Sequence, residues 1–353
     1  MNPKYLTFLQ NIKKENLQPQ ELNSNILLID GLNTFIRAFT ITPMVSDNGT
    51  HVGGISGFLL SLGYAIKMIN PTRIIIAFDG AGGSVRRRKL YPDYKGRRKT
   101  KRIFRPDVYT SEDEDEKSRV VQLIRLTQYL EILPITSIII DNIEADDTIA
   151  YIATNVFTED KHKITIMSSD RDYFQLINDR VKVWSPTKKI LYDNNTLYNE
   201  YNLTPNNYLY YKILTGDDSD NIPGVHGLGI KTLKKKFPKM FEKTYEISLE
   251  EILNVADERK NEAKVFENIH NSKSQILLNE KLIQLQDTEI SGHAKLSIIN
   301  QIEKPINRLV KYKFLSYMFE DKFILGRNVD PNNWLHKSFA SLDYYAGTTH
   351  NRK

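Results

Sequence analysis

Residues 26–31 read Ile-Leu-Leu-Ile-Asp-Gly, an apolar run that ends in an acid and a glycine. Two later runs have a similar form: residues 74–79 read Ile-Ile-Ile-Ala-Phe-Asp, and residues 164–170 read Ile-Thr-Ile-Met-Ser-Ser-Asp. Apolar runs of this length without strict alternation are typical of strands buried on both faces of a parallel sheet. Because ligands of open parallel sheets bind outside the carboxyl ends of the strands, the three terminal acids are predicted to share one edge.

The rest of the chain divides around this pattern. Further strands are predicted at 135–140 and 181–184, and helices at about 53–69, 116–131, 144–157 and 172–178. Strands alternating with helices predict an α/β fold with a mostly parallel sheet flanked by helices. After about residue 205 the strands stop and helices follow. We therefore predict four parts: an N-terminal extension with one short amphipathic helix (1–24), an α/β domain (25–204), a helical region (205–325) and a loosely ordered tail (326–353).

Composition excludes several classes of protein. The 353 residues include no cysteine, so disulfides and thiolate metal sites are excluded. No apolar run approaches the roughly 18 residues of a membrane span, and the N-terminus lacks the apolar core of a signal peptide. We therefore expect a protein that works in the cytoplasm without contact with a membrane.

Charge is distributed unevenly, although the net charge is only +6. Residues 86–102 contain ten basic side chains and one acid, with tyrosines between them. Residues 112–116 are an unbroken acidic run, Glu-Asp-Glu-Asp-Glu. The basic stretch is typical of a phosphate-binding surface, and a solvated loop is the alternative.

Nine acids follow strands or begin helices where they could converge: Asp30, Asp79, Glu144, Asp146, Asp147, Asp170, Asp172, Asp217 and Asp220. Any one of them alone could cap a helix. Together they would repel, since two carboxylates about 4 Å apart cost roughly 4 kcal/mol at an effective dielectric of about 20. Divalent cations would offset that repulsion, and oxygen ligands without histidine favour Mg²⁺ over zinc. Two such ions would serve phosphodiester hydrolysis.

A glycine-rich and lysine-rich stretch lies in the helical part. Residues 222–236 read Ile-Pro-Gly-Val-His-Gly-Leu-Gly-Ile-Lys-Thr-Leu-Lys-Lys-Lys. The glycines allow tight turns and close approach of the backbone, and a helix is predicted from about Ile230. Backbone N–H groups at such a turn can bind a phosphate without reading a base. A plain connector to a solvated helix is the alternative.

In this order the motifs resemble the 5′ nuclease family, which includes the N-terminal exonuclease of bacterial DNA polymerase I, bacteriophage 5′ nucleases and flap endonucleases. Residues 183–186, Val-Trp-Ser-Pro, are similar to the ribonuclease H of T-even-type phages. The resemblance implies a PIN-like domain with a basic arch at about 84–118. It also implies a helix-three-turn-helix element at about 210–240 that binds duplex DNA, often with a K⁺ ion. His226 stands where many relatives carry proline, and residues 101–118 extend the arch.

The resemblance also implies roles for individual residues. Asp30, Asp79, Glu144, Asp146 and Asp147 match a first metal group, and Asp170, Asp172, Asp217 and Asp220 match a second. Lys95 and Arg98 match residues at the scissile phosphate, with Asp146 as the third catalytic residue, and Tyr94 matches a residue that stacks on a base. Packing within the arch is the alternative for Tyr91 and Tyr94. The expected DNA contacts are Arg87, Tyr91, Tyr94, Lys95, Arg98, Gly224, Gly227, Gly229, Lys231 and Thr232.

The function that follows is a Mg²⁺-dependent 5′-3′ exonuclease and flap endonuclease, in which Mn²⁺ can replace Mg²⁺. Its expected substrates are duplex DNA with a 5′ flap, a nick or an RNA primer, and RNA–DNA hybrids. A single-strand-binding protein or a sliding clamp is a further expected partner. Two alternatives stay open at this point: a PIN-type ribonuclease acting on structured RNA, and a non-catalytic protein that binds duplex DNA.

Overall fold

The structure is a computed structural model that describes residues 20–96, 103–322, 325 and 329–349. The amphipathic helix predicted within the N-terminal extension falls on residues outside this part. Arg98 and its neighbours at 97–102 also lie outside it. The arch is therefore described only at its two bases.

A six-stranded sheet forms the centre of the described structure, in the order β3-β2-β1-β4-β5-β6. Strands β1 to β5 are mutually parallel, and β6 is antiparallel to β5. The strands are β1 (Asn25–Asp30), β2 (Arg73–Asp79), β3 (Thr136–Ile140), β4 (Lys163–Met167), β5 (Val181–Ser185) and β6 (Ile190–Tyr192). The predicted α/β class is confirmed.

The position of β1 decides where the acids meet. Alternate side chains of β1 are buried in two separate apolar cores, Leu28 on one face and Leu27 on the other. Complete burial of such a side chain contributes about 1.5–3 kcal/mol, which is why the strand is apolar from Ile26 to Ile29. Because β1 lies between β2 and β4, Asp30 stands between Asp79 and the loop that follows β4.

Helices cover both faces of the sheet. They are α1 (Gly31–Ile41), α2 (Gly53–Ile69), α3 (Val85–Leu90), α4 (Glu112–Glu131), α5 (Ala145–Tyr151) and α6 (Asn194–Tyr201). Helix α5 continues as one π-helical turn, Ile152–Val156. The helix predicted at 172–178 is a short 3₁₀-helix, Asp172–Leu176.

The C-terminal half is helical, as predicted. Its helices are α7 (Pro205–Thr215), α8 (Ile230–Lys236), α9 (Leu249–Glu258), α10 (Lys264–Asn271), α11 (Lys273–Ile283), α12 (Gly292–Glu303), α13 (Lys311–Glu320) and α14 (Pro331–Asp343). The expectation that no strand follows residue 205 is wrong at one place. There β7 (Gly216–Asp217) and β8 (Ile222–Pro223) pair as a short antiparallel hairpin. No helix that the structure describes is long and apolar enough to cross a bilayer.

The acidic run, residues 112–116, is helical and extends the helix predicted at about 116–131 toward the N-terminus. It forms the first turn of α4, where acids stabilise the positive end of the helix. Ser111 caps this helix by accepting from the backbone N–H of Glu114. The buried carboxylate of Asp115 accepts from the backbone N–H groups of Phe104 and Arg105, at 3.1 and 3.0 Å. The run therefore anchors the returning base of the arch.

The expectation of a loosely ordered tail is also wrong for the described residues of that segment. Asp330 caps α14 and Pro331 occupies its first turn. Leu335, Phe339 and Leu342 are buried in the core that α2 shares. Their spacing of four and three residues is the apolar period of a helix, a signal that the polar residues between them obscured.

Candidate active site

A cleft of about 400 Å³ opens where the parallel strands end. Seven of the nine predicted metal ligands line it: Asp30, Asp79, Glu144, Asp146, Asp170, Asp172 and Asp220. The other two, Asp147 and Asp217, lie beside it. The predicted convergence of the acids at one edge of the sheet is therefore what the structure shows.

Three of these acids form a triad at the start of α5, in which Glu144 and Asp147 are buried and Asp146 is partly exposed. One carboxylate oxygen each of Glu144, Asp146 and Asp147 lies within 4.8 Å of the others. Arg87 donates to all three, at 3.2 Å to Asp146 and 3.0 Å to Asp147. Burial raises the pKa of Asp147 to about 6, and Asp146 adds to the rise. The guanidinium of Arg87, which the sequence analysis predicted to contact DNA, therefore contacts all three acids of the triad.

Asp30 is a buried acid of the cleft, at the end of β1. Burial raises its pKa to about 7, and the neighbouring Asp170 and Asp79 add to the rise. Its carboxylate accepts from the backbone N–H of Asn33 at 3.0 Å and from the hydroxyl of Tyr173 at 3.2 Å. A group held in this way is only partly ionised at neutral pH, and nearby positive charge would favour its charged form.

Two acids of the second group, Asp172 and Asp217, pair with a lysine that the sequence reasoning missed. Lys212 lies near the end of α7, with its Nζ 2.9 Å from Asp172 and also ion-paired with Asp217. Burial raises the pKa of Asp172 to about 7, and Asp170 contributes. The only available signal was spacing, because Lys212 stands one helical turn before the motif that starts at Gly216.

The base of the arch differs from expectation at two positions. Tyr94 is 2% exposed, and its hydroxyl, with one proton to donate, lies within hydrogen-bond distance of Glu144, at 3.3 Å, and of Asp220, at 3.2 Å. In this arrangement its ring cannot stack on a base. Arg87 is equally buried against the triad, so it is no surface for DNA either. The same cause explains the burial of Tyr94 and of Arg87. The clustered carboxylates need hydrogen-bond donors, and these two side chains supply them.

Lys95 lies in the cleft as predicted. Its ammonium pairs with Glu144, and its backbone N–H donates to the carbonyl of Asp220 at 2.8 Å. Its φ of +56° is a left-handed conformation that costs a non-glycine residue of order 1–3 kcal/mol. Tyr91 next to the arch base is half-buried against the apolar core. The role of Lys95 in catalysis stays a prediction.

The glycine-lysine turn, defined as residues 222–236, has its three glycines and most of its lysines on the surface. Gly227 has a φ of +73°, which a glycine adopts at little cost. A Cβ on Gly224 would lie 2.0 Å from the carbonyl oxygen of Thr215, so only glycine fits there. Lys231 is exposed, and Thr232 donates to the carbonyl of Gly227 at 3.4 Å. Gly229 caps α8 in extended conformation.

A further part of the cleft lining was also missed. It comprises Asn33, Arg37, Ser169 and Thr187. Arg37 donates to the hydroxyl of Thr187 at 3.0 Å and to the carbonyl of Pro186 at 3.1 Å. Helical periodicity could have found Arg37, because it lies two turns after Asp30 on α1.

Two family models match this chain in succession. Residues 25–202 match the 5′-3′ exonuclease N-terminal resolvase-like domain, and residues 203–302 match the 5′-3′ exonuclease C-terminal SAM fold. The 5′-3′ exonuclease of Bacillus subtilis is 32% identical over 222 residues, which cover 60% of this chain and 69% of that protein. The chain belongs to the 5′-3′ exonuclease family. It is a nuclease, and its reaction is hydrolysis.

Longer relatives and solved structures agree with this assignment. The DNA polymerase I of Bacillus caldotenax is 30% identical over 270 residues, or 75% of this chain. The nuclease spans only 28% of the length of that polymerase. A crystal structure of the bacteriophage T5 D15 flap endonuclease with DNA and metal ions superimposes with a TM-score of 0.59. The match covers 84% of this chain and 99% of that one at 20% identity, which establishes the shared fold.

The lining of the cleft fits hard divalent cations. Its ionisable lining residues are carboxylates together with Arg37 and Lys95, and no histidine is among them. Oxygen donors of this kind suit hard divalent cations such as Mg²⁺, whereas zinc sites usually include nitrogen or sulfur ligands as well. Enclosed carboxylates with raised pKa values, such as Asp30 and Asp172, are stabilised in their charged form by a cation. The acids of this nuclease are therefore suited to a metal centre.

The metal-free nuclease is expected to lose thermal stability as pH rises from about 4 to about 7. Asp30 and Asp172 have folded-state pKa values of about 7 against 3.8 when unfolded. Between these values the folded protein binds more protons than the unfolded chain, so raising the pH favours unfolding. Added Mg²⁺ favours the ionised carboxylates and should raise the melting temperature above pH 7.

Calorimetry in chelator across this pH range measures the effect. His51, whose pKa is lowered by burial, acts in the opposite sense. The Asp30→Asn variant is therefore the comparison, and it should show a shallower fall in melting temperature. Parallel curves for the two proteins would refute the assignment of the effect to the cleft.

Proposed function

We propose that this nuclease removes 5′ flaps and RNA primers from duplex DNA in a Mg²⁺-dependent reaction, with Mn²⁺ able to replace Mg²⁺. The observation that carries the proposal is that seven acids line a single cleft. Lys95, from the basic arch, lines the same cleft. Duplex DNA with a 5′ flap, a nick or an RNA primer, and RNA–DNA hybrid, are the proposed substrates. The DNA in the structure of the T5 flap endonuclease supports this class.

Two groups of side chains would hold the ions. Asp30, Asp79, Glu144 and Asp146, with Asp147 behind them, would hold one. Asp170, Asp172, Asp217 and Asp220 would hold the other. When bound, such a pair supplies activation of the attacking water and stabilisation of the leaving oxygen. Lys212 orients Asp172 and Asp217 toward each other.

Lys95 would stabilise charge on the phosphate as the bond breaks. Its ammonium lies at the cleft, where burial lowers its pKa but Glu144 and Asp146 outweigh that effect and raise it. The Lys95 ammonium is therefore charged at neutral pH. Arg98, three residues further into the arch, is proposed to act with it on the strength of the family resemblance.

The glycine-lysine turn is proposed to bind the backbone of the duplex at a site outside the cleft. Its support is an exposed backbone turn followed by exposed Lys231, Lys234 and Lys235. Contacts of this type bind phosphates and carry no base specificity. A K⁺ ion in the turn is part of the proposal and rests on the resemblance.

Replacing Lys231 with alanine is expected to weaken duplex binding and flatten its dependence on salt. For each phosphate that the variant no longer binds, the slope of log K against log salt should fall by about 0.9. Binding of a blunt duplex between about 50 and 200 mM salt measures this slope, because such effects are large in that range. Lys260→Ala is the control, since that lysine is exposed beyond α9. An unchanged slope in Lys231→Ala would remove the turn from the interface.

One assay tests the proposed function. Labelled 5′-flap DNA, nicked DNA, RNA–DNA hybrid and single-stranded RNA are compared with Mg²⁺ and with chelator. The expected result is cleavage that requires Mg²⁺, near the junction of flap and duplex in the flap DNA and in the RNA strand of the hybrid. Cleavage confined to single-stranded RNA would favour the ribonuclease alternative, and binding without cleavage would favour a non-catalytic protein. Action in the cytoplasm, and docking to a single-strand-binding protein or sliding clamp, remain part of the proposal.

A further inference from the structure

We propose that Asn279, on α11, is a positioning residue that sets the second group of acids. It touches no acid itself. It acts through the acidic loop, defined as residues 216–221, which carries Asp217 and Asp220. The inference rests on the proposed function, because it gives these two acids a role in holding an ion.

The side chain of Asn279 joins the two ends of the acidic loop. It is 0% exposed, and its Nδ2 donates to the carbonyl of Ile213 at 2.9 Å and to that of Pro223 at 2.8 Å. Ile213 precedes the loop and Pro223 follows it. One amide group therefore fixes the separation of both ends.

The acidic loop is tightly constrained at the same place. A Cβ on Gly216 would lie 2.4 Å from the backbone nitrogen of Gly224, so the two ends of the loop are in close contact. Val225 donates its N–H to the carbonyl of Leu214 at 2.8 Å. With the ends held so closely, a small displacement at either end moves both carboxylates.

The orientation of the Asn279 amide is also determined. Both of its Nδ2 partners are carbonyl oxygens, which can only accept. Its own carbonyl oxygen accepts from the side chain of Gln275 at 2.7 Å. Gln275 lies one turn earlier on α11 and is partly exposed. It thus orients the amide from the outside.

The same helix also reaches the acids of the α/β domain. Gln175, three residues after Asp172, donates to the carbonyls of Asp172 and Ile283, and accepts from the N–H of Leu285 at 2.7 Å. Arg87, which holds the triad, donates its Nε to the carbonyl of Leu282 at 3.0 Å. The end of α11 therefore connects the acidic loop with both groups of acids.

A residue that positions metal ligands without binding the metal is expected to affect one metal site selectively. Asp217 and Asp220 come from the helical half, whereas Asp170 and Asp172 come from the sheet, so their ion site exists only if the two halves are in register. Removal of residues that orient metal ligands typically weakens metal binding by about 10- to 100-fold. A residue that served packing alone would lower stability without selecting one site.

Titration of the metal-free protein with Mn²⁺, followed by the EPR signal of the free ion, tests the inference. Wild-type protein is expected to bind at two classes of site. Asn279→Leu should weaken one class by about 10- to 100-fold and leave the other within about twofold. The weakened class should be the one that Asp170→Asn removes. Flap cleavage by Asn279→Leu should recover at high Mg²⁺.

Asn207→Leu is the matched control. Asn207 is also 0% exposed, and its Nδ2 also donates to two carbonyls, those of Met240 and Tyr245. Its side-chain oxygen accepts from the N–H of Ile247 at 3.0 Å, so none of these three partners adjoins either end of the acidic loop, as Ile213 and Pro223 do. The variant should therefore leave both classes of site unchanged. Gln275→Ala keeps Asn279 and removes its orienting donor, so it should fold and weaken the same class less strongly.

The outcomes separate this inference from the proposed function. If the titration of wild-type protein shows no saturable binding of Mn²⁺, both the proposed function and the positioning role of Asn279 fail. If wild-type protein binds at two classes and Asn279→Leu is unchanged, only the positioning role fails. Equal weakening in Asn207→Leu also refutes it, because the effect is then one of general stability. If Asn279→Leu does not fold, unchanged binding in Gln275→Ala refutes it.

Discussion

Replacing Asp146 with asparagine is expected to slow flap cleavage by at least about 1,000-fold, a loss of about 4 kcal/mol in transition-state stabilisation. Among the triad, Asp146 has the side chain that is 28% exposed, and it lines the cleft, while Glu144 and Asp147 are almost fully buried. Burial opposes its ionisation, yet Arg87 and Lys95 lower its pKa. It is therefore the ionised acid of the triad best placed toward substrate.

Duplex affinity of the Asp146→Asn variant should remain within about twofold, since the glycine-lysine turn is intact. Single-turnover cleavage and binding in chelator measure the two quantities separately. Asp141→Asn is the control, because this acid is exposed at the same edge of the sheet and does not line the cleft. Cleavage by Asp146→Asn near the wild-type rate would exclude the triad from the reaction.

Replacing Lys95 with methionine is expected to lower kcat by about 100- to 1,000-fold, the usual effect of removing one group that stabilises transition-state charge. Methionine preserves most of the side-chain length and removes the charge. The strained φ of Lys95 and its backbone bond to Asp220 hold the ammonium at the cleft. KM should change much less than kcat, since the contact strengthens as charge develops.

Steady-state kinetics on a 5′-flap substrate distinguish this role from simple DNA binding. Lys89→Met is the control, because Lys89 is exposed on α3 in the same basic stretch. A rise in KM with kcat preserved would show that Lys95 only attracts DNA. Equal effects of both variants would show that the basic stretch acts through its total charge.

The sheet and most of the cleft could be predicted because their signals are local. The run that ends in Asp30 is apolar on both faces, so it specifies a central strand, and the acid at its end marks the edge of the sheet. The same reasoning placed Asp79 and Asp170 beside it. The order of strands then brought the three acids together, which needed no knowledge of side-chain contacts.

The contacts around the acids could not be predicted, because they depend on which donors lie nearest in space. Tyr94 and Arg87 belong to a basic, aromatic stretch that is typical of a DNA surface. In the fold they are drawn inward to satisfy Glu144 and Asp147. Lys212 was missed for a related reason, since its two acidic partners come from different halves of the chain.

Asn279 shows the same limit at greater distance. An asparagine on a helix is ordinary in sequence, and its importance arises only from carbonyls at residues 213 and 223. The tail was misjudged because three apolar residues carry the helical period within a polar segment. In each case tertiary contacts, rather than local preference, determined the outcome.

Anomalous diffraction from crystals soaked in Mn²⁺, recorded at the manganese absorption edge, tests the central idea most directly. The structure predicts anomalous density inside the cleft, one peak against Glu144 and Asp146 and another against Asp170 and Asp172. Absence of both peaks at millimolar Mn²⁺, or peaks only at exposed acids such as Asp141, would contradict the assignment of the acidic cleft as the nuclease centre.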